Sequence, residues 1–149
     1  MKYDYTKGVV MYMKEVNSAI IHPTIRKLLS LAIWDVKVDQ EYENYLKSLN
    51  RQLYGFELEG EFVGCVGIEV ISLLECEIKH IAVSSVQRGK GIGSKMINYI
   101  TEQYPLIFAE TDNDAIDFYR NFGFDITSLG EKYPGVERYL CKYKKQGTY

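Results

Sequence analysis

The chain has no run of roughly 18 apolar residues, the length that a membrane-crossing helix needs. Its opening residues, MKYDYTKGVV, lack the continuous apolar stretch of a secretory signal. These two absences lead us to expect a soluble, cytoplasmic protein with no membrane partner. Cysteine is scarce: Cys65, Cys76 and Cys141 form an odd count without metal-ligand spacing, which argues against a disulfide framework or a zinc site and for reduced, buried thiols. No metal is expected. An excess of one charge is also missing, since 18 Lys and Arg stand against 20 Asp and Glu. A general nucleic-acid binder, whose phosphate contacts need surplus cations, is therefore not expected. No internal repeat or disordered linker divides the 149 residues, and a 46% hydrophobic content suffices for one core, so a single domain over 1–149 is the expectation.

What is present reads as alternating strand and helix signals. Lys7 to Val16 is a strand-like run that meets turn residues at Asn17 and Ser18. Ile25, Leu28, Leu29, Ala32 and Ile33 recur at helical spacing after Pro23, which predicts a helix over Thr24 to Asp35. Tyr42, Tyr45, Leu46 and Leu49 predict a second helix from Asp39, with Asp39 as N-cap. Tyr54 to Leu58 and Phe62 to Leu73 are strand formers joined by Glu59-Gly60-Glu61, a hairpin signal. Glu77 to Val83 is a further strand, followed by the aperiodic, glycine-bearing stretch Ser84 to Gly93.

Ile92, Met96, Ile97, Ile100 and Tyr104 trace one helical face that Pro105 ends, and Leu106 to Ala109 is a short buried strand. Ala115, Phe118, Tyr119 and Phe122 mark a fourth helix, with Asp112 or Asn113 as N-cap and Gly123 as its left-handed stop. Phe124 to Ser128 and Val136 to Tyr143 close the chain around a Pro134-Gly135 turn. The sum is an α/β domain whose sheet carries helices on both faces.

The loop before the third helix carries the most chemistry. Gly89, Gly91 and Gly93 let backbone N–H groups converge beside a helix N-terminus, while Arg88 and Lys90 add positive charge. A phosphate-bearing ligand fits such a cradle because glycine allows close backbone approach. The nucleoside-triphosphate loop is excluded, since Ser94-Lys95 follows Gly93 where Gly-Lys-Ser/Thr is required. Ser94 also occupies the third glycine position of the dinucleotide fingerprint.

Arg88-Gly89-Lys90-Gly91-Ile92-Gly93 resembles instead the Gln/Arg-x-x-Gly-x-Gly/Ala signature of the GNAT superfamily of acetyl-CoA-dependent N-acetyltransferases. Glu77-Ile78-Lys79-His80-Ile81-Ala82-Val83 precedes the loop and Ala115-Ile116-Asp117-Phe118-Tyr119 with Gly123-Phe124 follows it, both at the family's spacing. The resemblance spans about Phe62 to Lys142. It implies a mixed, mostly antiparallel central sheet of about six or seven strands, splayed where acetyl-CoA enters. It further implies pyrophosphate binding by the backbone of Arg88, Gly89, Gly91, Ile92, Gly93 and Ser94. Pantetheine would pair with exposed backbone near Ala82 and Val83 as a missing strand would.

The resemblance also assigns chemistry. Periodicity alone makes Tyr119 a core residue beside Ala115 and Phe122, whereas the family places a general-acid tyrosine here, in reach of the thioester sulfur. Glu77 resembles the glutamate base of some protein-directed members, against the plain reading of a strand carboxylate paired with Lys79. Glu75 and His80 are weaker candidates. Strict alternation puts Glu77, Lys79, Ile81 and Val83 on one face and Ile78, His80 and Ala82 on the other. Many members carry an Asn that contacts the cofactor where this chain has Asp112: either Asp112 serves mainly as helix cap, or Asn113 reaches inward by a shifted helix start, and which of the two contacts the cofactor stays open. Phe108 to Asp112 resembles a stretch of small bacterial members of undefined substrate.

The resemblance thus implies an acyltransferase that moves acetyl from acetyl-CoA to a primary amine of a small molecule or peptide by direct attack. An acyl-CoA-binding module with a regulatory role and little turnover is the competing reading. The acceptor would be selected by roughly Ile20 to Asn50 and Ser128 to Glu137; Trp34, Tyr42, Tyr45, Tyr133 and Tyr139 either line a pocket or simply pack, and Glu41, Glu43 and Glu131 either attract a cationic amine or form a solvated face. A homodimer through sheet edges or the last strand is a candidate assembly.

Overall fold

A computed structural model describes residues 11–147. The strands are β1 (Met11–Glu15), β2 (Arg51–Leu58), β3 (Glu61–Val70), β4 (Glu75–Val83), β5 (Leu106–Thr111), β6 (Asp125–Tyr133) and β7 (Val136–Lys144). The helices are α1 (Pro23–Leu29), α2 (Asp35–Lys47), α3 (Ile92–Gln103) and α4 (Ile116–Phe122). The strands form one open sheet in the order β1-β2-β3-β4-β5-β7-β6, antiparallel throughout except between β4 and β5. The glycine loop and α3 supply the crossover that the parallel pair needs.

Two apolar layers flank the sheet, as expected. On one face Met96, Ile97 and Ile100 of α3 and Tyr119 of α4 pack on Val66, Ile68, Cys76, Ile78 and Ile107. On the other, Ile25, Leu28 and Leu29 of α1 and Val38, Tyr42 and Tyr45 of α2 pack on Leu53, Cys65 and Ala82. Each fully buried Leu or Ile contributes about 1.5–3 kcal/mol relative to exposure, so the two layers hold the helices against the sheet.

The splay is visible in the ladder. β4 and β5 pair from Glu75↔Leu106 to Ile78↔Ala109 and no further, so Lys79–Val83 of β4 keeps β3 on one side and leaves its other edge open.

Local expectations shift in several places; β3 stops at Val70 rather than Leu73, and β6 runs on past Ser128 to Tyr133. Lys7–Val10 of the expected first strand lies outside the described residues, and the strand is seen from Met11. The helix expected over Thr24–Asp35 ends at Leu29, because the chain turns through Leu31 N–H to Leu28 C=O and Ile33 N–H to Leu29 C=O while the Ser30 hydroxyl donates to the Lys27 carbonyl. Helix α2 accordingly starts at Asp35, and Asp39 is not its cap but an interior residue paired with Arg26 at 2.5 Å. Neither Asp112 nor Asn113 caps α4: Asp112 Oδ1 accepts from the Asp114 N–H in a local turn, and the helix opens at Ala115 with no side-chain cap. Gly123, at φ 121°, does end α4.

Strict alternation along β4 fails at a β-bulge. Pairing passes from Gly67↔His80 to Ile68↔Ile78, which leaves Lys79 as the extra residue. Ile78 therefore joins Ile81 and Val83 in the layer of α3 and α4, while Ala82 joins the layer of α1 and α2. His80 turns to Tyr45 of α2. Glu77 stands on that same side, in a cross-strand row with Glu69 and Arg51. The expectation that Glu77 and His80 occupy opposite faces is thus corrected.

Candidate active site

The loop after β4 is built by backbone conformation. Gly89 and Gly91 hold φ of 79° and 78°, where a side chain would be strained, and Gly91 stands at the N-cap of α3 with no side-chain hydrogen bond. The first N–H groups of a twelve-residue helix thus face the loop without a protein side-chain cap. Gly93 meets a different demand: a Cβ there would lie 2.8 Å from the Phe118 ring, so the first turn of α3 and α4 meet only because residue 93 has no side chain. Arg88 Nε donates to Val83 C=O at 3.4 Å and Lys90 Nζ to Gln87 Oε1 at 3.3 Å, which keeps both cations on the loop.

Two adjoining hollows open here. One, of about 310 Å³, is lined by Gln87, Arg88, Gly89, Gly91, Ile92, Gly93 and Ser94 with Val83 and Phe118. The other, of about 350 Å³, continues along the splayed edge past Ile81, Ala82 and Val83 to Asp114, Ala115, Phe118 and Tyr119, with Leu31 of the α1–α2 turn on its far wall. Together they make a trough with N–H groups and cations at one end and an apolar, strand-edged channel at the other. Such a trough suits a ligand with a diphosphate head and a thin amide-bearing arm.

Tyr119 lines this channel with its ring 4% exposed, wedged between Phe118 and Phe124 at centroid distances of 5.2 and 5.0 Å. Burial pushes its phenol above the ordinary range, with Cys141 adding in the same direction, so the hydroxyl stays protonated and can donate.

Glu77 is not on the channel wall. It lies inside the paired section of β4, opposite Phe108, and Lys79 Nζ donates to its Oε2 at 3.3 Å. The pair belongs to a chain of charges that runs from Glu41 through Arg51 and Glu69 to Lys79. Asn113 faces β7, where its Oδ1 accepts from the Tyr139 hydroxyl at 2.8 Å.

The proposed acceptor aromatics divide by exposure. Tyr42 is buried with its hydroxyl donating to Ser18 C=O, Tyr45 is buried against His80, and Trp34 and Tyr133 are exposed. Of the acids, Glu41 pairs with Arg51, Glu43 with Lys47, and Glu131 accepts from the Gly135 N–H.

Sequence reasoning missed Leu31, Phe118 and Asp114 as channel residues. Leu31 carried no motif, since its place depends on where α1 breaks. Phe118 had a signal that went unread: a large ring on α4 facing a glycine on α3.

Among the described residues no group of three His, Cys, Asp or Glu side chains is placed to hold a metal, and no helix is long and apolar enough to cross a membrane. A splayed α/β sheet with a glycine cradle at the end of its central strand defines an acyl-CoA-type acetyltransferase fold. The family model for the acetyltransferase (GNAT) domain matches residues 50–126, and the chain belongs to that family. It is 33% identical over 69 residues to the uncharacterized N-acetyltransferase in the lysA 3' region of Bacillus methanolicus, an alignment that spans 46% of this chain and 58% of that protein's length.

Among solved structures, a GNAT family acetyltransferase from Elizabethkingia anophelis with acetyl-CoA bound superposes with a TM-score of 0.70 at 20% identity, over 90% of this chain and 97% of that one. The ribosomal-protein-S18-alanine N-acetyltransferase from Escherichia coli gives a TM-score of 0.70 at 14% identity, over 94% and 99%. At these identities the likeness is one of fold.

Proposed function

We propose that the protein transfers an acetyl group from acetyl-CoA to a primary amine of a small molecule or peptide. The observation that carries this reading is the continuity of the trough: the glycine cradle, the open edge of β4 and Tyr119 line one path. The acetyl-CoA bound to the Elizabethkingia relative supports the donor, and the N-acetyltransferase relative from Bacillus methanolicus supports an amine acceptor.

Backbone N–H groups of Arg88, Gly89, Gly91, Ile92, Gly93 and Ser94 would hold the pyrophosphate, and Ala82 and Val83 would pair with the pantetheine amides. The thioester supplies an activated acyl carbon; amine nitrogen bonds to it as the carbon–sulfur bond breaks. Tyr119 would give its proton to the departing thiolate and recover one from solvent. Glu77, reached directly or through water once Lys79 yields, would take the amine's proton, and Asn113 would contribute a polar contact to the cofactor.

Calorimetric titration with acetyl-CoA, CoA and ATP tests the donor, and thiol release against a panel of amines and peptides tests the transfer. Binding of the two CoA compounds but not ATP, followed by amine-dependent release, is expected. Binding without release across the panel would favour a sensing module, and no CoA binding would return the loop to a structural turn.

A further inference from the structure

The Tyr45–His80 pair has no part in the chemistry above. Tyr45 crosses from α2 over β3 at Gly67, where any Cβ would overlap its hydroxyl. Its Oη lies 2.6 Å from His80 Nδ1, and Gly67 and His80 are cross-strand partners, so the missing side chain opens the path. Burial pushes the Tyr45 phenol up and the His80 imidazole down, which keeps both neutral near pH 7. Among the described residues Nδ1 is the one acceptor in reach of the phenol, so the phenol donates and the ring proton of His80 sits on Nε2. The ring is half-buried, and its hydrogen bond among the described residues is the one with Tyr45 at Nδ1, which leaves Nε2–H for a ligand.

The position of that N–H gives it a use. His80 is two residues past Ile78, the last residue of β4 on the β5 ladder, and two before Ala82, which lines the channel from the same α1–α2 side of the sheet that His80 faces. A ligand with its diphosphate on the glycine cradle that runs back along Val83 and Ala82 ends where the splay closes, beside His80. Glu41 from α2, Arg51 from β2 and Lys79 from β4 are the charged groups acting on the ring.

We propose that His80 is a catalytic residue, its Nε2–H donating to the carbonyl oxygen of the acyl thioester, and that Tyr45 is the positioning residue that fixes the tautomer. The proposal rests on the acyl-CoA reading of the trough. As the carbon–nitrogen bond forms, the carbonyl electron pair moves onto oxygen and the bond from Nε2–H strengthens while the proton stays on nitrogen. When the pair returns and the carbon–sulfur bond breaks, the thiolate takes the Tyr119 proton. A neutral imidazole suits this role because it stabilises growing negative charge without needing to lose a proton.

The chain has two histidines, so nitrogen-15 spectra of the rings assign His80 by comparison with a His22→Gln variant. The expected result is a neutral Nε2–H tautomer at pH 7 that becomes a tautomer mixture in Tyr45→Phe. Acetyl-CoA is expected to move the Nε2–H resonance downfield while CoA does not, and His80→Leu is expected to retain calorimetric CoA binding. An Nδ1–H tautomer in the unmodified protein, or an equal response to acetyl-CoA and CoA, overturns the proposal and leaves the trough assignment standing. Failure of both compounds to bind overturns the trough assignment first and this role with it, whatever the tautomer.

Discussion

Gly93 and Phe118 occupy one another's space: the Phe118 ring stands where a Cβ on residue 93 would point, 2.8 Å away at its nearest carbon. Cradle and channel meet at this contact, since both residues line both hollows. A Gly93→Ala substitution must therefore displace the ring or the first turn of α3. We predict a destabilisation of about 1–3 kcal/mol from overpacking, together with weakened acetyl-CoA binding. Gly93→Ala combined with Phe118→Leu is expected to recover part of the stability, and a double-mutant cycle by denaturant unfolding measures the coupling.

Gly67 is a second position where a glycine admits an aromatic ring. Its Cβ would overlap the Tyr45 hydroxyl and ring, and α2 is anchored through that same residue. Gly67→Ala is predicted to cost about 2–4 kcal/mol, combining overpacking with loss of the hydrogen bond to His80. The same substitution made with Tyr45→Leu should cost less, which unfolding midpoints would reveal. Equal costs in both backgrounds would mean that the strain lies elsewhere.

The cradle was legible because its chemistry is local: three glycines between a strand and a helix constrain the backbone whatever the rest of the chain does. The sheet and most helices followed from periodicity for the same reason. The β4 bulge was not legible, since whether Lys79 pairs or is extruded is decided by β3, and that single residue moved His80 and Ala82 relative to Ile78. The break between α1 and α2 was also hidden. Ala32 and Ile33 continue the apolar spacing past Leu29, yet the carbonyls of Leu28 and Leu29 and the Ser30 hydroxyl close a turn there. Leu31 reached the channel wall only as a consequence of that turn.

Tyr119 separates binding from chemistry. Its ring fills the space between Phe118 and Phe124, and Tyr119→Phe keeps that ring, so stability and acetyl-CoA affinity should change little, by less than about 1 kcal/mol. Loss of a positioned general acid is expected to lower amine-dependent thiol release by about 10²–10⁴-fold. Because burial raises the phenol above its ordinary value of 10.0, its ionisation should produce no alkaline limb below that pH. Unchanged release in the variant would remove Tyr119 from the mechanism.

The three cysteines decide how cleanly such release can be measured. Cys65, Cys76 and Cys141 are all fully buried and free. Burial pushes the thiols of Cys65 and Cys76 from 9.0 up to about 12, and that of Cys141 upward as well. Thiolate is the reactive form, so the native protein should give no signal with an aromatic disulfide reagent at neutral pH, and all three should react after unfolding. The same shift sets an alkaline stability limit. The folded state keeps protons that the unfolded thiols release above 9.0, so the stabilisation is complete below that pH and is lost as pH rises toward 12. Denaturant midpoints are therefore expected to fall progressively between about pH 9 and pH 11, and Cys65→Ala with Cys76→Ala should flatten that slope. A native thiol that reacts rapidly at neutral pH would show that one of these side chains is reached by solvent, and the raised values would then not hold.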